Sequence, residues 1–208
     1  TKVLINQGLT PQEIFFYRFL IAYIGIWAIS PKHLFADNLK DELWLVAGGV
    51  FGGSLYFFTE NTALGITQAS NVAFIICTAP LLTTILSLLF YKSEKATKGL
   101  IYGSLLALIG VGLVVFNGSV VLKLSPVGDL LTLLAALSWA FYSLVIKRMT
   151  GRYPTVFITR KIFFYGVLTI LPAFLLHPLQ PDFDVLLQPL VLSNLLFLAV
   201  LASLICYI

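Results

Sequence analysis

Apolar runs of about 20 residues recur along this 208-residue chain, each closed by a short connector of turn residues. A helix needs about 20 apolar residues to cross the ~30 Å hydrocarbon layer of a bilayer. Lipid offers an unpaired backbone group no partner, so such runs must be helical. On that length the spans are 11–29, 43–64, 70–91, 99–116, 127–146, 155–176 and a seventh opening near 188. The connectors hold Ser30-Pro31, Gly65 to Ala69, Asn117-Gly118, Ser125-Pro126 and His177-Pro178. Composition agrees, with 59% of residues hydrophobic and 11% charged, where a soluble domain carries about a quarter charged residues. Thirteen basic and nine acidic side chains cannot coat that much apolar surface in water. The fold class is therefore all-α, a polytopic transmembrane helix bundle. The chain begins at Thr1 and stops inside an apolar run too short to cross, so it is expected to be part of a longer protein.

Local signals sharpen several spans. Thr10-Pro11-Gln12-Glu13 is a capping box with proline at the first helical position, which starts a helix at 11. Gly48, Gly49, Gly52 and Gly53 form two overlapping GxxxG pairs in the second span, and Gly99, Gly103, Ala107, Gly110 and Gly112 line the fourth. Small residues at that spacing let helices approach closely in lipid, either as plain packing or as surfaces that slide. Pro80, inside the third span, should kink it.

Orientation follows from the basic residues. One alternate set of connectors holds Lys32, Lys40, Lys92, Lys95, Lys98, Lys147, Arg148 and Arg152, and the other holds Lys2 and Lys123. The richer set belongs in the cytoplasm, so the first visible helix runs inward.

Three cations remain inside spans: Arg18, Arg160 and Lys161. Arg18 is seven residues past Pro11, roughly 10 Å below the outer face. Glu60 precedes Gly65 by five residues and lies at about 8 Å from the same face, on the next, antiparallel helix. Intramembrane charges pair with one another or face a watery cavity. The expectation is an Arg18–Glu60 pair, or two charges on one cavity, with snorkelling of Arg18 or a purely structural ion pair as the alternative. Asn61 and Asn71 are candidates for a polar cavity wall or for interhelical hydrogen bonds.

A thin repeat gives these charges a context. In "GLTPQEIFFYRF" and "GRYPTVFITRKI", Gly8 and Gly151, Pro11 and Pro154, and Arg18 and Lys161 are each 143 residues apart. By the span count the first stretch opens outside and the second inside. A motif that recurs upside down is the signature of inverted repeats with a site near the midplane. Lys161 would then be the inner counterpart of Arg18, and ordinary positive-inside anchoring is the alternative for Arg160 and Lys161.

These stretches resemble the EamA-type drug/metabolite transporter superfamily. The resemblance is carried by "GLTPQEIFFYRFLIA", by "ENTALGITQASNVAFIICTAPLLTTILSLLF" with Pro80, by Glu94, Gly103 and "LIGVGLVV" with Gly110, and by "GDLLTLLAALSWAFYSLVIKR" with Trp139. It covers the visible chain. It implies ten helices in two inverted five-helix halves when complete, of which about seven are present here. Residues 1–118 would be the first repeat, from the end of helix 1 through helix 5. Residues 119–208 would be a truncated second repeat, with helices 6 and 7 and the start of 8. Glu60 matches no general motif of that family.

The function this suggests is transmembrane transport of a small polar metabolite such as an amino acid, read as export, by alternating access of the two repeats. The candidate substrate-binding residues are Arg18, Glu60, Asn61, Asn71, Trp139 and Lys161, and the structural ones are Pro80, Gly103 and Gly110. No catalytic residue, metal or cofactor is expected. His33 and His177 stand alone in opposite connectors, which argues against a membrane-embedded enzyme. A seven-helix receptor is the other alternative, and an inverted repeat would be unexplained in it. The expected partners are a small-molecule substrate and the lipid bilayer, with a homodimer allowed and no nucleic acid. The expected location is the inner (plasma) membrane, multi-pass.

Overall fold

The computed structural model describes residues 1–29, 34–91, 97–116, 125–176, 178–179 and 183–207. Lys32, His33, Lys92, Glu94, Lys95, Asn117, Gly118, Lys123 and His177 lie outside the described residues. Within them the chain is a bundle of helices. A short α1 (Lys2–Asn6) precedes α2 (Pro11–Ile29), followed by α3 (Leu39–Gly49), a π-helical segment (Val50–Ser54) and α4 (Leu55–Ile66). Next come α5 (Ala69–Ile76), α6 (Ala79–Phe90), α7 (Lys98–Phe116), α8 (Pro126–Thr150) and α9 (Thr155–Ile170). The chain continues through α10 (Ala173–Leu176), α11 (Phe183–Leu186), α12 (Pro189–Leu196) and a second π-helical segment (Phe197–Ile205).

Among the described residues, four stretches are long and apolar enough to cross a bilayer: Pro11–Ile29, Ala69–Phe90, Pro126–Thr150 and Thr155–Leu175. The second expected span is instead the stack of α3, the first π-helical segment and α4. The capping box at Thr10 forms as expected. The Thr10 N–H donates to Glu13 Oε2 at 2.9 Å, and the Glu13 N–H donates back to Thr10 Oγ1 at 3.4 Å. Just upstream, Gly8 takes φ 97°, a left-handed turn that favours glycine. Gly151, its partner in the repeat, has φ −74°, so this pair of glycines does different work. The third span breaks at Cys77 and Thr78, two residues before Pro80, whose ring nitrogen has no hydrogen to donate to the turn behind it.

α2 packs on α9 and on the second π-helical segment, while α3 and the first π-helical segment pack on α9. α8 lies against α4, α5 and α6. Where α2, α4 and α9 meet, Phe15, Phe19, Phe57 and Phe163 form the buried core. The ring of Phe19 stands edge-on to those of Phe57 and Phe163, with centroids 5.1 and 4.9 Å away.

The glycines of the second span let this core close. A Cβ on Gly49 would lie 2.4 Å from Cβ of Tyr165, and one on Gly52 would lie 2.2 Å from the Tyr142 ring. Gly53 meets the backbone of Gly166. In the fourth span Gly99, Gly103 and Gly110 have nothing within 4 Å, so the described chain uses none of them for close packing.

Candidate functional site

Arg18 is on the inward face of α2, with 8% of its surface exposed. Its Nε donates to Ser203 Oγ and its Nη2 to the Ala202 carbonyl at 3.0 Å, both acceptors in the second π-helical segment. Its guanidinium stacks 4.5 Å from the centroid of the Phe57 ring. The direct Arg18–Glu60 ion pair is not formed: among the described residues no carboxylate lies within 4.0 Å of the Arg18 guanidinium. Glu60 is nevertheless within electrostatic reach of Arg18, with the Tyr56 hydroxyl beside it, one helical turn earlier on α4. The two charges therefore face one region without touching.

An aromatic wall adjoins them. Trp139 of α8 lies 4.9 Å from the Tyr56 ring, 5.0 Å from Tyr142 and 6.2 Å from Tyr207. The buried hydroxyl of Tyr207 has no hydrogen-bond partner among the described residues. Trp139, Tyr142 and Tyr207 also line a cavity of about 200 Å³ that continues past Ile158 and Thr159 to Thr150 and Thr155, at the ends of α8 and α9. A permanent cation, a carboxylate and stacked rings together can hold a solute that carries both charge and a flat or apolar part.

The remaining candidates lie elsewhere. Asn61 is buried and donates to the Pro11 carbonyl at 3.4 Å, an interhelical bond near the outer face. Asn71 is buried in the first turn of α5. Lys161 is 3% exposed and ion-paired to Glu42. It also donates to the Leu34 carbonyl at 2.9 Å and to the Tyr165 hydroxyl at 3.4 Å, and that hydroxyl in turn donates to Glu42. Arg160 is buried with its guanidinium 5.5 Å from the Phe157 ring. Lys161 and Arg18 therefore belong to two separate environments.

The Lys161 environment is half of a larger polar clamp. Arg152 Nη1 donates to both oxygens of Asp41 at 2.9 and 3.1 Å, and the Tyr153 hydroxyl donates to Asp41 Oδ2 at 3.1 Å. Asn38 caps α3 by accepting from the Asp41 N–H at 2.8 Å. Burial alone would raise the Asp41 carboxyl, but hydrogen bonds from Asn38, Arg152 and Tyr153 outweigh it and hold it below the usual carboxylate range. For Glu42 burial is likewise outweighed, here by Lys161, Tyr165 and the Ala36 N–H, so its carboxyl is also held low. The sequence reading missed Glu42, Asp41, Tyr165, Tyr56, Tyr142, Tyr207 and Ser203. Tyr56 was within reach of it, since it stands four residues before Glu60 on one helix face. Nothing local marks Ser203 or Tyr207, whose partners are far away in sequence.

The family model described as the EamA-like transporter family matches residues 1–116 and 126–208. An uncharacterized transporter of Archaeoglobus fulgidus is 26% identical over 97% of this chain and 70% of its own length. The uncharacterized transporter YdfC of Bacillus subtilis is 31% identical over 71% of this chain, which spans 48% of that relative. A solved crystal structure superposes on 99% of this chain and 70% of its own with a TM-score of 0.72, at 17% identity, a likeness of fold.

Proposed function

The chain belongs to the EamA-like transporter family, and on that premise we propose that it forms much of an exporter for a small polar metabolite such as an amino acid. Membrane transport is the family's general role; the solute, the direction and the residues are our reading. Arg18 binds an anionic group such as a carboxylate, Glu60 balances a cationic group or carries a proton, and Trp139 with Tyr56 and Tyr207 holds the body of the solute. The observation that carries this is the cation of α2 and the carboxylate of α4 facing one aromatic-walled region. A buried charge without a counter-ion in contact is costly in a bilayer and marks function more often than packing. Asn61, Asn71 and Lys161 are proposed as supports of the surrounding helices.

Two inverted repeats, divided near residue 118, fit the helix pairing: α2 packs on the second π-helical segment, and α9 packs on α3 and the first π-helical segment. Both contacts run between the halves, and exchanging the halves turns one into the other. Alternating access of the halves around the region follows from that symmetry. Proton antiport and facilitated diffusion both remain consistent with it. The inner membrane is the proposed location, and no catalytic chemistry is assigned.

The test is transport by the full-length protein in vesicles against a panel of amino acids and amines. Arg18→Gln should abolish uptake of carboxylated solutes with the protein still folded. Glu60→Gln should remove either dependence on a proton gradient or uptake of cationic solutes. Wild-type rates in both variants would refute the assignment.

A further inference from the structure

A second cavity lies on the opposite side of α8 from Trp139 and Tyr142. It measures about 480 Å³ and is walled by Phe51, Phe141 and Phe90, with Trp44, Tyr91 and Arg148 among its other lining residues. Phe51 and Phe141 stack at 5.3 Å, and Phe90 stands edge-on to Phe141 at 6.3 Å. The positions explain the separation. Residues 141, 144 and 148 share one face of α8, while 139, 142 and 146 share the other.

Trp44, Tyr91 and Arg148 all fall within about two turns of helix ends at the basic end of the bundle: the start of α3, the end of α6 and the end of α8. Arg148 stands 4.8 Å from the Trp44 ring, and its Nε is buried with no hydrogen-bond partner among the described residues. The neighbouring Lys147 is turned to Ser87 Oγ at 3.3 Å and to the Tyr91 ring, so Arg148 is the cation that the groove itself presents. Contrast Arg152, whose charge is already taken by Asp41.

We propose that this groove binds one anionic phospholipid of the cytoplasmic leaflet, its phosphate on Arg148 and an acyl chain along Phe51, Phe90 and Phe141. The groove is apolar where a hydrocarbon tail would run. It carries an aromatic and a guanidinium at the depth where a headgroup begins, and the positive-inside bias puts that end at the leaflet rich in anionic lipid. An unpaired guanidinium hydrogen suits a phosphate oxygen, which a zwitterionic headgroup offers with an ammonium attached.

The experiment uses the full-length protein in a neutral detergent, with phosphatidylglycerol and phosphatidylcholine of identical chains titrated separately, and inorganic phosphate as a third arm. Bound lipid is counted by native mass spectrometry. Phosphatidylglycerol should be retained about five- to tenfold better than phosphatidylcholine. The preference should fall to parity in Arg148→Gln, survive in Arg148→Lys, and be unaffected in Arg152→Gln. Because Arg148→Gln could disturb the end of α8, Phe90→Ala on the exposed wall is the second variant, expected to weaken retention of both lipids. Equal retention by the wild type, a preference that persists in Arg148→Gln, or phosphate competing as well as lipid would overturn the proposal.

Discussion

Breaking the Glu42–Lys161 pair should cost far more than breaking an exposed ion pair, because both partners are largely buried, with side chains 14% and 4% exposed. Lys161→Met keeps the length and packing of the side chain and removes the charge. It leaves Glu42 with the Tyr165 hydroxyl and the Ala36 N–H, which donates at 2.7 Å. Removing one partner of a buried pair costs about 3–5 kcal/mol, and the two surviving donors place this case near the lower end, about 3 kcal/mol. That is roughly a hundredfold in the unfolding equilibrium. Glu42→Gln strands the Lys161 ammonium, but the Leu34 carbonyl and the Phe35 ring 4.8 Å away remain, so about 2 kcal/mol is expected. The double variant carries no stranded charge and should lose only about 1–2 kcal/mol, a coupling of about 3 kcal/mol or slightly more. The assay is equilibrium unfolding in mixed micelles, followed by tryptophan fluorescence, on all four proteins. Additive losses, with the double variant as unstable as the sum of the singles, would refute the argument that the pair is what joins α3 to α9.

The α3–α9 contact has a simpler test among the glycines: Gly49→Ala should destabilise by about 1–3 kcal/mol in thermal unfolding, since its Cβ would meet Tyr165 and the Gly166 backbone nitrogen at 3.0 Å. Gly103→Ala, with nothing within 4 Å, should leave stability unchanged or raise it by up to about 1 kcal/mol. Acid should loosen the clamp. The Asp41 and Glu42 carboxyls are held below their ordinary values in the folded chain, so their stabilisation is fully present above the unfolded carboxylate range near 4 and is lost as pH falls through the depressed folded values. Unfolding midpoints should therefore drop below about pH 4 in the wild type and drop less in Asp41→Asn/Glu42→Gln, measured over a pH series.

The helices were legible because lipid leaves the backbone one solution and because span length is fixed by bilayer thickness. The Thr10 capping box, the break ahead of Pro80 and the second-span glycines were legible for another reason: each is decided within one turn or two of chain. The Arg18–Glu60 contact was not, although both residues lie at similar depth. Depth along two helices fixes height but not rotation. The rotation of α2 turns Arg18 toward Ser203, a partner 185 residues away. Lys161 shows the converse. The repeat drew attention to it, yet the residue that claims it, Glu42, stands at the mouth of a helix where an acidic side chain looks like ordinary N-terminal capping.

Set side by side, the two cations explain why one of them was worth singling out. Each reaches across the bundle to the helix that follows its counterpart: Arg18 of α2 to the stretch after α12, and Lys161 of α9 to α3. The contact is the same in kind and opposite in outcome. Lys161 meets a carboxylate, so its charge is neutralised on the spot and α3 is bound to α9. Arg18 meets a hydroxyl and a carbonyl, which orient a guanidinium but cancel none of its charge. A permanent cation held in place by neutral acceptors and an aromatic face, with a carboxylate near but not in contact, keeps its charge uncancelled, as the proposed solute role requires. If Arg18 served only to tie helices together, a Ser203→Ala change that removes one anchor should weaken folding and transport in proportion. If it serves a solute, the same change should raise the concentration needed for half-maximal transport more than it lowers stability, and measuring both on one preparation separates the two roles.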